Sequence, residues 1–387
     1  MKIVLVGAGG YGQTYLRSLD ELNIFGNLCG VADPYASGSS YYNRFKEAGI
    51  PVYDTLDEFY KHHSTDLAIV SSPIHFHEEQ TVTALSNNSH VLCEKPVAAT
   101  VGQALNMQRA AEANNRLLGV GFQWSFSSRI RAFKQDVING RFGAPLCFKS
   151  MMYWPRPNAY YESGNWKGRL KAPDGKPIND SVITNATAHY LHNLFFMLGN
   201  ETDASLMPEF FEGSVFRFRD IESLDTCIIR GRFPGGARFH YGATHSCGGS
   251  DAALFACEFE SCVVLYDINM NMVVRWKNGV LENLQYPADD GLTGKLAFMI
   301  DAIKNNTKPY CGIGTVLPQM TVTTTIFDTF TIQNFPPETV VKTQNPDGAN
   351  VPGLYEAMLK CFRNELLPNE CDIFPFKDAR VNEARIV

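Results

Sequence analysis

Four groups of residues in this 387-residue chain have types and spacings that could do chemistry. Gly7-Ala8-Gly9-Gly10-Tyr11-Gly12 reads G-x-G-x-x-G, and Asp33 stands 21 residues past its last glycine. Glycines let a backbone approach a pyrophosphate, a following helix N-terminus supplies amides and positive dipole, and an acid at that distance accepts hydrogen bonds from ribose hydroxyls. Asp33 would also repel a 2′-phosphate, which favours NAD over NADP. Lys95, in Glu94-Lys95-Pro96, is a candidate proton shuttle. Partial burial and a cationic oxidised nicotinamide both disfavour a second positive charge there, so the amine could take a hydroxyl proton as hydride leaves the same carbon. Asn185, His189 and His192 fall at i, i+4 and i+7 of an apolar segment, Val182–Leu198, whose pattern predicts a helix. A polar stripe on such a helix needs partners or a cavity.

The fourth group is Ser71-Ser72-Pro73-Ile74-His75-Phe76-His77. Its H-x-H pair could start a metal site, but no third ligand is evident, and no metal is expected. Ser71, Ser72, Pro73, His75 and His77 are read as lining the cofactor pocket, with Glu94, Lys95 and Gln123 beside them. The ten cysteines contain no C-x-x-C pair and are read as reduced, small hydrophobes.

The elements that must position these residues follow from periodicity. Short apolar runs at Ile3–Val6, Leu28–Ala32, Leu67–Ser71, His90–Cys93 and Leu117–Phe122 predict strands. Tyr11–Leu22, Phe76–Ser86 and Val101–Ala113 predict helices between them. Strands alternating with helices imply a doubly wound parallel sheet, in which ligands sit beyond the carboxyl ends of the strands. The glycine loop, Ser71–His77, Lys95 and Gln123 all follow such ends. Downstream, runs from Leu146–Tyr153 to Val280–Tyr286 read as strands. Ser128–Asn139, Thr293–Asn305, Pro318–Phe330 and Gly353–Glu365 read as helices. The loop-like Ala159–Asn179 precedes the histidine segment.

Composition sets outer bounds. A length of 387 residues suits two domains, here 1–124 and 125–387, and 45% hydrophobic residues suffice for their cores. A net charge of −6 without a basic run gives no footprint for nucleic acid or an acidic membrane. The apolar runs are too short to span a bilayer, and the N-terminus enters its first strand directly, so a cytoplasmic protein is expected.

Taken together, Gly7–Gly12, Asp33, Ser72-Pro73…His77, Glu94-Lys95-Pro96 and Gly119-Val120-Gly121-Phe122-Gln123 resemble the Gfo/Idh/MocA family, the glucose-fructose oxidoreductase and inositol dehydrogenase group. Asn139–Pro145 resembles that family's link into its second domain. The resemblance implies an N-terminal Rossmann domain and a C-terminal α/β domain with a large, open, mostly antiparallel sheet that often forms an oligomer interface, hence a homo-oligomer, dimer or tetramer. His189 matches the family's active-site histidine. Four residues earlier the family usually has aspartate where this chain has Asn185. An amide there leaves the Lys95 pKa lower than a carboxylate would, so Asn185→Asp is expected to move the basic limb of kcat/KM to higher pH. Tyr153, Trp154, Trp166, Lys167, Arg169 and His192 offer aromatic platforms and donors, and Tyr153, Trp166, Arg169 and His192, with Lys95, Asn185 and His189, are taken as the candidate substrate residues. Their mix of aromatic faces and donors suits a polyhydroxylated ring. The expected activity is NAD-dependent oxidation of a secondary hydroxyl of a sugar, cyclitol or glycoside, with glycoside C3 as one candidate position. A redox-assisted glycosidase or lyase on the same fold, and a non-enzymatic dinucleotide sensor, are the alternatives.

Overall fold

The computed structural model describes residues 1–164, 166–248, 252–336, 341–342, 349–376 and 378–386. The chain forms two compact units, Met1–Arg131 with Ala288–Val316, and Ala132–Pro287 with Leu317–Val387.

The first unit alternates β1 (Ile3–Val6), α1 (Gly12–Glu21), β2 (Leu28–Ala32), α2 (Tyr42–Glu47), β3 (Val52–Tyr53), α3 (Leu56–His62), β4 (Leu67–Val70), α4 (His77–Ser86), β5 (His90–Cys93), α5 (Val101–Ala113) and β6 (Leu118–Val120). All six strands are parallel in the order β3-β2-β1-β4-β5-β6. The order reverses between β1 and β4, which places the glycine loop and Ser71–Pro73 side by side at the switch point. Helices on both faces explain the unbroken apolar strands: Ile3, Val4 and Leu5, like Leu67–Val70, are fully buried. Gly30 in β2 is required by packing, since a Cβ there would lie 2.5 Å from the Phe59 ring of α3. β3 has two residues, too few to show a period, and the sequence reading passes over it. After α6 (Gln123–Phe126), the chain leaves this unit within α7 (Ser128–Ile138).

The second unit is built on a mixed, mostly antiparallel sheet. Its strands are β7 (Pro145–Tyr153), β8 (Phe210–Arg217), β9 (Thr226–Arg232), β10 (Arg238–Thr244), β11 (Ala252–Phe259), β12 (Cys262–Asp267), β13 (Met272–Trp276) and β14 (Leu281–Asn283). Two helices, α8 (Asn158–Glu162) and α9 (Ala188–Met197), lie between β7 and β8 in sequence. After β14 come α10 (Gly291–Asn305), α11 (Ile313–Thr329), β15 (Ile332–Asn334) and α12 (Leu354–Asn364). The sheet runs β14-β13-β12-β11-β7-β10-β9-β8-β15, with Asn382–Arg385 added against β8; β10 is parallel to β7 and β15 to β8. Neighbouring residues of β10 face opposite sides. Phe239 packs on Phe195 of α9 and Tyr241 meets Thr187, whereas the His240 ring reaches the Leu366 carbonyl and Gly242 faces Met358 of α12. The centre of this sheet is therefore covered on both faces, the second by Leu354, Ala357, Met358 and Cys361 against Met151, Tyr153 and Ile228.

Two differences from the sequence reading bear on the site. Leu296 and Met299 of α10 join Ile3, Leu5 and Leu92 in the first unit's core, so the segment 288–316 belongs there rather than with the residues around it in sequence. The helix expected from Val182 begins only at Ala188, after a run of turns. Among the described residues no helix is long and apolar enough to cross a membrane.

Candidate active site

The first βα loop has the form a dinucleotide cradle needs. Gly7 and Gly10 have φ of +84° and +45°, and the Gly12 amide closes a tight turn onto the Gly9 carbonyl at 2.8 Å. A Cβ at Gly9 or Gly10 would meet no protein atom within 4 Å, so the space above the loop and the N-terminus of α1 is open to a pyrophosphate. Asp33 has a second task that spacing does not reveal. One carboxylate oxygen accepts the Ala8 amide at 2.7 Å, and the other accepts that of Tyr35 at 2.8 Å, tying the end of β2 to the glycine loop.

Ser71 joins this loop directly, its hydroxyl donating to the Gly7 carbonyl at 2.9 Å, and the Ser72 hydroxyl donates to Gln80. The His77 ring is buried with Nε2 2.7 Å from the Ser72 carbonyl and Nδ1 2.9 Å from that of Pro96. Burial pulls its pKa below the usual histidine value against the opposing pull of the two carbonyls. His77 thus sits between the loop after β4 and the turn carrying Lys95, and the neutral ring, with a single N–H, donates to one of the two carbonyls. His75 is half-buried against Phe76, and Pro73 is exposed. Gln123, at the start of α6, accepts from the Tyr11 hydroxyl at 3.4 Å.

Lys95 is held through its neighbour. Glu94 is buried; its Oε2 accepts the Lys95 backbone amide at 3.0 Å and its Oε1 accepts the Tyr15 hydroxyl at 2.6 Å. The same Oε1 pairs with the ammonium of Lys295, which also donates to the Tyr11 hydroxyl at 3.1 Å. Gly121 leaves room for this carboxylate, since a Cβ there would stand 2.6 Å from Oε1. Burial pushes the Lys295 pKa down while Glu94 pulls it up, and burial with Glu94 pushes the Tyr15 and Tyr11 phenols up. Lys295 lies 201 residues from its partner. The signal for it was a lysine inside the apolar stripe of α10, Leu292-Lys295-Leu296-Met299.

In the second unit the expected stripe is broken. Asn185 lies before α9, its amide bonded to the Ser181 carbonyl at 3.1 Å, and it is not on a helix with His189 and His192. His189 is half-buried in the first turn of α9. His192 is 1% exposed, stacks on Phe196 and is pushed down to about 3 by burial and by the Lys134 ammonium, which lies over the same phenylalanine ring. His192 is therefore placed in the interior of this unit. Tyr153 is too: it is buried, packs on Tyr355 and donates its hydroxyl to the Tyr355 carbonyl at 3.0 Å. Trp166 is half-buried and Arg169 exposed, on the stretch leading to Asn185.

Sequence reading missed the partners of Asn185. Its Nδ2 donates to Asp180 Oδ1 at 2.9 Å and lies 3.5 Å from the Tyr160 hydroxyl, while Asp180 Oδ2 accepts the Gly168 amide at 2.6 Å. Asp180 is 2% exposed. A carboxylate thus sits beside the amide rather than in its place. In Asn185→Asp two carboxyls would share one proton, and one would titrate well above the ordinary carboxylate range. Besides the shift of the basic limb, the variant is expected to gain an acid-side limb above about pH 5 in its kcat/KM profile; a profile superimposable on the parent's refutes this.

A six-stranded parallel sheet with a glycine loop and an acid at its switch point is the Rossmann architecture. Residues 1–122 match the model of the GFO_IDH_MocA family, described as "Oxidoreductase family, NAD-binding Rossmann fold". A glucose-6-phosphate 3-dehydrogenase of Bacillus subtilis is 30% identical over 148 residues, covering 38% of this chain and 41% of that protein. An inositol 2-dehydrogenase of Pseudomonas savastanoi is 25% identical over 202 residues, covering 52% and 55%. The chain thus matches between two fifths and just over half the length of these relatives. The WlbA dehydrogenase of Bordetella pertussis, solved with NADH and UDP-GlcNAcA, has a TM-score of 0.70 at 17% identity, covering 85% of this chain and 95% of that one. That likeness extends the shared fold to both units.

Proposed function

We propose that the protein transfers hydride between NAD and a secondary hydroxyl of a sugar, cyclitol or glycoside. The observation that carries this reading is the fixing of Lys95. Its backbone is held by Glu94 and its turn lies against His77, at the carboxyl end of β5 in the same sheet whose β1 carries the glycine loop. The bound dinucleotide would supply the hydride acceptor. Gly7–Gly12 would hold its phosphates and Asp33 its ribose, with a preference for NAD over NADP. Lys95 would move the hydroxyl proton, and His189 and Asn185 would orient the substrate. We assign cofactor binding to the N-terminal domain and substrate binding to the C-terminal one, in a cytoplasmic protein. Exposed Leu265, Val280 and Leu281 around the β12–β14 end of the sheet support self-association there.

The relatives' names, an inositol and a sugar phosphate dehydrogenase, support the substrate class. The test is absorbance at 340 nm with NAD or NADP and a panel of sugars, inositols and glycosides. Stoichiometric NADH that falls about 10²- to 10⁴-fold in Lys95→Ala is expected. Sugar release without net NADH would replace this reading by redox-assisted cleavage. Turnover unaffected in Lys95→Ala would remove Lys95 from the mechanism.

A further inference from the structure

Around Tyr160, whose hydroxyl lies 3.5 Å from Asn185 Nδ2, the second unit holds two cations that form no ion pair among the described residues. The Arg156 guanidinium lies 5.0 Å from the Tyr160 ring centroid and the Lys167 ammonium 4.6 Å from it. Arg156 also lies 5.6 Å from the Trp154 ring, and Lys167 5.8 Å from that of Trp166. Among the described residues neither forms an ion pair with a carboxylate, and Lys167 donates to the Ser163 hydroxyl at 2.6 Å. Arg156 Nε and Trp154 Nε1 are buried without an acceptor.

Two other arginines of this unit show what a structural role looks like. Arg219 donates to the Ser246 hydroxyl and to the Arg156 carbonyl and lies 3.7 Å from Asp225, while Arg230 is held by Glu212 and Glu370. Asp180, the carboxylate that acts on Lys167, is occupied by the Gly168 and Asn185 amides. His245, buried behind Tyr161, stays neutral because burial, Arg156 and Arg219 all push its pKa down. Burial and Arg156 together lower the Lys167 pKa, with Asp180 opposing. Both like charges lie beside one aromatic ring and Arg156 disfavours the charge of Lys167, so an anion reached by both would relieve that repulsion and give the buried guanidinium N–H an acceptor.

We propose that Arg156 and Lys167 bind an anionic oxygen group, a phosphate or a carboxylate, carried by the sugar substrate, with its ring on Tyr160 and Trp154. This rests on the oxidoreductase reading for the identity of the ligand as a sugar. A guanidinium fork suits either group bidentately, and the aromatic faces suit the C–H face of the ring.

The test compares glucose with glucose 6-phosphate and glucuronate, and inositol with an inositol monophosphate, in the parent, Arg156→Gln, Arg156→Lys and Lys167→Gln. Each pair is assayed for NADH formation and, separately, for binding by titration calorimetry. In the parent, at least one anionic sugar is expected to exceed its neutral counterpart in kcat/KM by at least about tenfold. That ratio should collapse toward one in Arg156→Gln and Lys167→Gln and survive in part in Arg156→Lys. Phosphate winning over carboxylate, or the reverse, names the group. Equal handling of neutral and anionic sugars by the parent, or a ratio that survives both glutamine variants, overturns the proposal. Charge-dependent binding without NADH from any sugar would overturn the oxidoreductase reading while upholding the anion site.

Discussion

Replacing Lys295 by methionine is expected to cost about 3–5 kcal/mol of stability, the usual penalty for stranding one member of a buried ion pair. Lys295 and Glu94 are 1% and 4% exposed, so solvent cannot take over the role of the missing partner. Glu94→Gln should be severe as well, but the two variants should respond to pH in opposite directions. In Lys295→Met the stranded carboxyl has a folded pKa raised above its unfolded value, so its penalty is absent at low pH and grows as pH rises through the unfolded pKa. In Glu94→Gln the lysine, already pushed down by burial, loses the carboxylate that opposed this shift. Its folded pKa falls further below the unfolded value, so the penalty is full at low pH and fades as pH climbs toward the ordinary lysine range. The double variant Glu94→Gln/Lys295→Met should recover most of the loss, since neither charge is then left alone. Urea unfolding at pH 5, 7 and 9 reads all three. Single-variant losses that do not change with pH, or that add in the double variant, would show that the pair does not act as one. The same carboxylate holds the Lys95 amide, so Lys295→Met should also lower kcat by more than it changes the affinity for NADH.

That pair shows where a sequence stops being informative. The Rossmann elements were legible because a parallel sheet covered on both faces demands unbroken apolar runs, and Ile3–Val6 and Leu67–Val70 supply them. The glycine loop was legible because its chemistry needs contiguous residues. Lys295 could not be assigned a partner in the same way: its value depends on a chain reversal that brings α10 back to the first unit, and local pattern says nothing of where a helix docks. Asn185 fails differently. Its i, i+4 spacing to His189 suggested one helix, but Thr187 uses its hydroxyl and amide on the Val182 carbonyl, and the regular helix starts after it. The spacing that nominated His192 is equally that of a core residue, and in the structure its ring is buried and stacked on Phe196. Asp180 and Tyr160 had no pattern to betray them: Tyr160 lies on the short α8 inside the stretch read as loop-like, Asp180 on the loop before the turns, and neither meets Asn185 through a period.

Gly9→Ala and Gly12→Ala are expected to separate the fold from the cofactor in the first unit. At Gly12 a Cβ would overlap the Gly7 carbonyl oxygen and lie 2.9 Å from the Gly7 carbonyl carbon, which are backbone atoms that cannot swing away. The cost should reach about 1–3 kcal/mol or more, as for other overpacked sites, with loss of the turn that presents α1. Gly9 differs on both counts: nothing lies within 4 Å of its Cβ position, and its φ lies outside the left-handed range, so an alanine there is neither crowded nor strained. Its stability should stay within about 0.5 kcal/mol of the parent. What the methyl does obstruct is the approach of a pyrophosphate to the loop. If the dinucleotide binds there, Gly9→Ala should weaken NADH by about 5- to 150-fold, the equivalent of 1–3 kcal/mol of steric cost transferred from folding to binding. Thermal unfolding and NADH fluorescence titration on the same samples decide the matter. A stable Gly9→Ala that binds NADH as the parent does would mean that Gly7–Gly12 is a turn without a ligand. A stable Gly9→Ala that has lost NADH would assign the loop's glycines two causes, Gly12 for the backbone it packs on and Gly9 for the molecule it must admit.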